Sequence, residues 1–347
     1  AGHTGGADPG ITNANDIICG RYICVAKVDS DYTYAYGPEE LASFASTTTN
    51  YAGASCADAS ACQVACTRDS SCEGYSHTFQ ILPGIVAWGS PTAGSSTPNS
   101  GHSGPPSSGS YMSIVSTASN FAALNASGHI TAWGSSWAGH TGAPTDGGYT
   151  TIFSSDSAFA ALKDDGSITA WGDAMYGGCS SGETGLYGGT CAPSDDGYVS
   201  IFSTKGAFAA LKDDGSITVW GMGDNATGDS THGGSGAPTD GGYTTIVSTY
   251  RAFAALKDDG SIAVWGDSNY GGSGAPSSGT YVNVFSTYYA FAALKDDGSI
   301  AVWGSSDYGG SGAPSSGRYV NVFSTRYAFA ALKDDGSITV WGYSSYG

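Results

Sequence analysis

Charge is what this sequence has least of. Only 12% of its 347 residues are Asp, Glu, Lys or Arg, about half the usual ~25%. That excludes a charge-rich disordered chain. Cations are scarcer still: 12 Lys and Arg stand against 30 Asp and Glu, for a formal net charge of -18. A field of that sign repels phosphate backbones and anionic lipid, so no nucleic acid is expected as a partner. No membrane span is expected either, because no apolar run approaches the ~18 residues it needs. Catalytic signatures are missing too. There is no Gly-x-Ser-x-Gly, no phosphate loop and no His-Glu-x-x-His. The six histidines (His3, His77, His102, His129, His140 and His232) sit mostly in Gly/Ser stretches, with no pair at metal-ligand spacing. The expectation is a non-enzyme with no catalytic residue, no cofactor and no metal.

What is present in excess is glycine, 54 residues, about twice the usual ~7%. With 40% hydrophobic residues, that balance suits short strands joined by tight turns. The strands announce themselves by repetition. "AFAALKDDGSI" begins at residues 158, 207, 252, 290 and 328, and Trp-Gly pairs begin at Trp88, Trp133, Trp171, Trp220, Trp265, Trp303 and Trp341. Upstream stand Tyr111, Tyr149, Tyr198, Tyr243, Tyr281 and Tyr319, each 22 residues before its tryptophan. All variation in period falls between Trp-Gly and the next Tyr, as when a rigid repeat lengthens loops on one side of a stack.

Inside the rigid unit, "YVNVFS", "AFAAL" and "SITVW" are β-branched, aromatic and bounded by turn residues. "KDDG" fits a hairpin turn, Asp favouring the bend and Gly the positive φ. Strict repetition makes the five Asp-Asp pairs turn elements and not calcium or catalytic sites, since a catalytic site is normally unique. "AFAAL" does not alternate apolar with polar, so both of its faces are expected to be buried between neighbouring sheets. A ring of such sheets leaves only short, protected edges. The fold expected is all-β: a seven-bladed β-propeller over 75–347, after a small disulfide-rich module over 1–74.

The unit "YVNVFSTYYAFAALKDDGSIAVWGSSDYGGSG" (281–312) resembles the repeat of the regulator of chromosome condensation family, and "GYSHTFQILPGIVAWG" (74–89) keeps that repeat's Gly-x-x-His-Thr. The compact period is similar to secreted members such as β-lactamase inhibitory protein II. The resemblance implies the propeller. The family's nucleotide-exchange activity is not carried over to so acidic and cysteine-rich a chain.

Eight cysteines are present, six within the first 72 residues: Cys19, Cys24, Cys56, Cys62, Cys66 and Cys72. Clustering of this kind reads as a disulfide framework of open connectivity. "CADASACQVACTRDSSCEGYSH" (56–77) resembles the PAN/Apple module, which implies adhesion or assembly. Cys179 and Cys191 flank an 11-residue inserted stretch, which a disulfide would pin. Sequons at Asn125 and Asn225 fall in turns and are expected to carry N-linked glycans. Residues 90–110, rich in Ser, Thr and Pro, are expected to carry O-linked sugars. These features together lead to an extracellular glycoprotein.

Two functions fit. One is a structural subunit of a coat, matrix or filament, associating head-to-tail. The near-identity of the repeats favours it, as does the opening "AGHTGGADPG", nearly the phrase after Trp137. The other is a binding protein that presents one propeller face to extracellular proteins or glycans.

Overall fold

The computed structural model describes residues 14–19, 23–28, 85–89, 102–103, 106, 110–135, 142–179, 190–223 and 232–345. The chain divides into two compact units, Ala1–Ser136 and Trp137–Gly347. Among the described residues no helix is long and apolar enough to cross a membrane.

The second unit contains five three-stranded antiparallel meanders. Their strands are β8–β10 (Tyr149–Ser154, Ala158–Lys163, Ile168–Gly172), β11–β13 (Tyr198–Ser203, Ala207–Lys212, Ile217–Gly221) and β14–β16 (Tyr243–Ser248, Ala252–Lys257, Ile262–Gly266). Then follow β17–β19 (Tyr281–Ser286, Ala290–Lys295, Ile300–Gly304) and β20–β22 (Tyr319–Ser324, Ala328–Lys333, Ile338–Gly342). The register is the same in each. A bulge follows the opening Tyr, and the Phe of the middle strand faces the Trp of the third, as in Phe291↔Trp303. These rings stack at 5.1–5.2 Å.

Sheet packs on sheet through the middle strand. Ala290, Ala292 and Leu294 pack against Tyr319, Val322, Phe329, Ala331 and Trp341 of the following meander. The alternate residues, Phe291 and Ala293, pack against Ala252, Ala254 and Leu256 of the preceding one. Both faces of "AFAAL" are thus buried, and alanine lets the sheets approach closely. The tryptophan also closes a polar contact: the indole N–H of Trp303 donates to the Gly271 carbonyl of the preceding connection at 3.1 Å. Trp220, Trp265 and Trp341 do the same at 3.0–3.1 Å. Glycine is required there. Gly271 adopts φ 90°, and a Cβ would meet the Phe291 ring at 2.6 Å.

The first unit repeats this plan twice. Strands β5–β7 (Tyr111–Ser116, Asn120–Asn125, Ile130–Ser135) form the meander, extended by β4 (His102–Ser103) on β7. The other sheet is β1 (Ala14–Cys19), β2 (Ile23–Val28) and β3 (Ile85–Gly89). Its backbone register matches the repeat position by position. Ala14 pairs with Val28 before a bulge, and Cys24 pairs with Trp88 as Phe208 pairs with Trp220. Where the other meanders have the four-residue turn 213–216, this one has residues 29–84. The sheet therefore joins the two sides of the expected 74/75 boundary, and Cys56, Cys62, Cys66 and Cys72 belong to an insertion in its second turn. Those four cysteines lie outside the described residues, as do the side chains of Cys19 and Cys24.

Candidate functional site

Aligning the meanders shows where this chain diversifies. From "YVNVFST" to "VWG" the five meanders of the second unit are fixed or conservatively varied at every position except two, directly after the Thr (or Ser155) that follows the first strand; the copy at 111–134 departs further, at Asn120, Asn125–Ser127 and His129. The two positions read Ala118-Ser119, Asp156-Ser157, Lys205-Gly206, Tyr250-Arg251, Tyr288-Tyr289 and Arg326-Tyr327. The structure places them at the centre of the tight turn between first and second strands. The turn is closed in the same way in each meander of the second unit. Thr249 N–H donates to the Ala252 carbonyl at 2.9 Å, and Ala252 N–H donates to Thr249 Oγ1 at 3.1 Å. With its ends held this way, the turn leaves its two central side chains free to change.

In the second unit the turns form a row. Asp156 N–H donates to the Lys205 carbonyl at 3.0 Å, Lys205 to Tyr250 at 2.9 Å, Tyr250 to Tyr288 at 3.1 Å and Tyr288 to Arg326 at 2.9 Å. The hydroxyls of Ser203, Ser248 and Ser286 each reach the carbonyl of the equivalent serine one sheet earlier, at 2.7 Å. The connection after Trp-Gly is tied to the same turn, Thr249 and Thr287 donating to the carbonyls of Tyr270 and Tyr308. Tyr270 and Tyr308 end one-turn 3-10 helices, Ser268–Tyr270 and Ser306–Tyr308.

Two aromatic rows result. The inner row runs Lys205, Tyr250, Tyr288, Arg326. Lys205 Nζ lies 5.2 Å from the Tyr250 ring centre, the two rings stack at 4.0 Å, and the Arg326 guanidinium lies 4.2 Å over Tyr288. The outer row begins with Arg251 at 5.3 Å over Tyr270. Tyr270 stacks on Tyr289 at 4.9 Å, Tyr289 on Tyr308 at 4.4 Å, and Tyr308 on Tyr343 at 5.5 Å. A hydrogen bond donated by the Lys205 ammonium to the Tyr250 phenol oxygen favours the charged lysine and raises its pKa. Burial, then the hydrogen bond with Tyr250, pushes the Tyr288 phenol up, against the pull of Arg326. Neither Lys205 nor Arg326 has an ion pair among the described residues; phenols hold them instead. In a chain with so few cations, three of them lie on this one tyrosine face.

His232 stands where the neighbouring connections have Tyr270 and Tyr308, its carbonyl accepting from Thr204 Oγ1 at 2.7 Å. The ring is only 4% exposed, with both nitrogens unpartnered. Burial first, then Arg251 and Lys205, pushes its pKa down to about 4. Gly206 makes room for it, since a Cβ there would lie 2.5 Å from His232 Nδ1.

The expected site residues fall elsewhere. Cys179 and Cys191 form a disulfide with Cα atoms 4.9 Å apart, and Thr190 beside it pairs with Gly221 at the edge of β13. Asn125 ends β6 at the entry to the turn, its Oδ1 accepting from Ser127 N–H at 3.0 Å. Asn225 lies outside the described residues. The second Asp of each pair accepts from the Ser N–H two residues on, as Asp297 does from Ser299 at 2.8 Å. That is the turn role read from the sequence. Among the described residues no three His, Cys, Asp or Glu come together as a metal site. The tyrosine face itself was missed. The signal for it was present in the two variable columns, hidden by the near-identity of everything around them.

No family model matches the chain, and no curated protein matches it. Among solved structures, similar backbones occur in RCC1-like β-propeller repeat proteins. The Arabidopsis thaliana receptor kinase ACR4 ectodomain is 17% identical over 76% of this chain and 90% of that one, with TM-score 0.44. The Physcomitrella patens receptor kinase CR4 ectodomain is 16% identical over 76% and 67%, also at 0.44. Prp20p of Saccharomyces cerevisiae is 15% identical over 65% and 68%, with TM-score 0.40.

Proposed function

We propose that this chain is an extracellular, non-enzymatic recognition protein on a seven-bladed propeller scaffold, and that it binds a protein partner with its tyrosine face. One observation carries the reading: among the five meanders of the second unit, side-chain chemistry changes most at the two turn positions that build that face, from Asp-Ser through Lys-Gly and Tyr-Arg to Tyr-Tyr and Arg-Tyr. The residue types support it. Tyr and Arg dominate interface hot spots because they bring large, rigid contact area with a polar handle at low entropic cost. The disulfide between Cys179 and Cys191 suits an oxidising compartment, and the sequons at Asn125 and Asn225 suit secretion. The test is a display screen of secreted proteins and glycans from the source organism. Protein hits are expected to weaken at least about tenfold with Tyr250→Ser plus Tyr288→Ser and to survive Asp297→Asn in the Asp-Asp turn. Hits indifferent to the tyrosines would refute the reading.

A second reading, an assembly subunit joining head-to-tail, is favoured by the outer face of the last meander. Phe323, Ile338 and Val340 are 56, 67 and 56% exposed. Their equivalents Phe285, Ile300 and Val302 pack against the following sheet. Such a face is an association surface unless covered. Sedimentation is expected to show polymers of the native chain that Phe323→Asp dissolves; monodisperse monomers of both proteins would exclude it.

A further inference from the structure

We infer that Tyr250 and Tyr288 are a site of oxidative cross-linking, joined to each other as dityrosine by a peroxide-level oxidant. The rings stack at 4.0 Å with 23° between planes. Rings stacked this closely bring their carbons ortho to the hydroxyls within reach of one another, and these are the carbons that couple in dityrosine. The backbone keeps the pair in place, because Tyr250 N–H donates to the Tyr288 carbonyl at 3.1 Å. Both residues are half-buried, so small oxidants reach them while the turn restricts their motion.

The chemistry balances with one peroxide. Each phenol gives up one electron and its hydroxyl proton, leaving two tyrosyl radicals. These form one carbon–carbon bond, and each ring regains aromaticity as its ortho hydrogen moves to oxygen. The peroxide O–O bond breaks and takes up the two electrons and two protons as two waters. The product is a covalent staple between neighbouring meanders, 38 residues apart in sequence (288 minus 250). A cross-link of that span restricts the unfolded chain as a disulfide does. Tyr289 and Tyr308, stacked at 4.4 Å, are the next pair in line.

The test uses the full chain with a haem peroxidase and hydrogen peroxide, followed by trypsin and mass spectrometry. The expected result is blue dityrosine emission and a loss of two hydrogens from the intact chain. The dominant cross-linked pair joins peptide 213–251 to peptide 258–295, with fragment ions placing the link on Tyr250 and Tyr288. Tyr250→Phe is expected to abolish that link, and Tyr288→Phe does so independently if the first variant misfolds. Dilution should leave the yield unchanged, since the link is within one chain. The inference is overturned by a fully oxidised sample without dityrosine, by links formed only between chains, or by a dominant link elsewhere among the 22 tyrosines.

Discussion

Replacing Trp303 with alanine is expected to cost about 3–5 kcal/mol, the range for deleting a buried aromatic. For a unit of roughly 200 residues, that lowers the melting temperature by about 10 °C. The side chain is 4% exposed and stacks on Phe291 at 5.2 Å. Its N–H holds the Gly271 carbonyl, so the substitution removes packing within one meander and a tie to the connection before it. Trp303→Phe separates the two losses. It keeps an aromatic ring against Phe291 but leaves the Gly271 carbonyl without its donor, a cost of about 1–3 kcal/mol. Unfolding followed by circular dichroism measures both variants. An alanine variant within about 1 kcal/mol of the native chain would show that the indole is not the bolt between repeats described above.

Acid is expected to destabilise the protein through His232. Its pKa is about 4 in the folded chain against an ordinary 6.5, because the buried ring cannot take up a proton beside Arg251 and Lys205. Between those values the unfolded chain binds more protons, so stability rises with pH across this window. The contribution is complete above about pH 6.5, falls away as the pH drops towards 4, and is constant below that. Its full size is at most about 3 kcal/mol. His232→Asn removes the titration, so the variant should lose less stability than the native chain between pH 7 and pH 4. Exposed carboxylates held low by lysine, such as Asp195 beside Lys212, are common to both proteins and cancel in the comparison. Equal losses in the two proteins would place the acid sensitivity elsewhere.

Much of this molecule could be read before any coordinates. The constant 22 residues from Tyr to Trp, the β-branched runs and the Asp-Asp-Gly turns are local signals. Local signals suffice for a meander, whose strands are neighbours in sequence. The burial of both faces of "AFAAL" followed from its lack of alternation, and the Cys179–Cys191 disulfide from its short span. The first sheet could not be read in the same way. Residues 14–28 lie 56 residues from β3, Ala14 takes the place of the opening Tyr, and Cys24 takes the place of Phe. With the ruler interrupted by an insertion and its marks replaced, only the pairing of β2 with β3 shows a repeat there.

The tyrosine face marks the same division more sharply. Sequence alone determined that each repeat is one rigid meander, because its strands are neighbours in the chain and its turns close over a few residues. It could not decide that the two turn positions matter together. Tyr250 meets Tyr288 one period away, and Tyr289 meets Tyr308 through a connection of different origin. Those meetings exist only because successive sheets stack with their first turns hydrogen-bonded in a row. Stacking is set by the non-local burial of Phe, Trp and Ala between sheets, which no window of sequence contains.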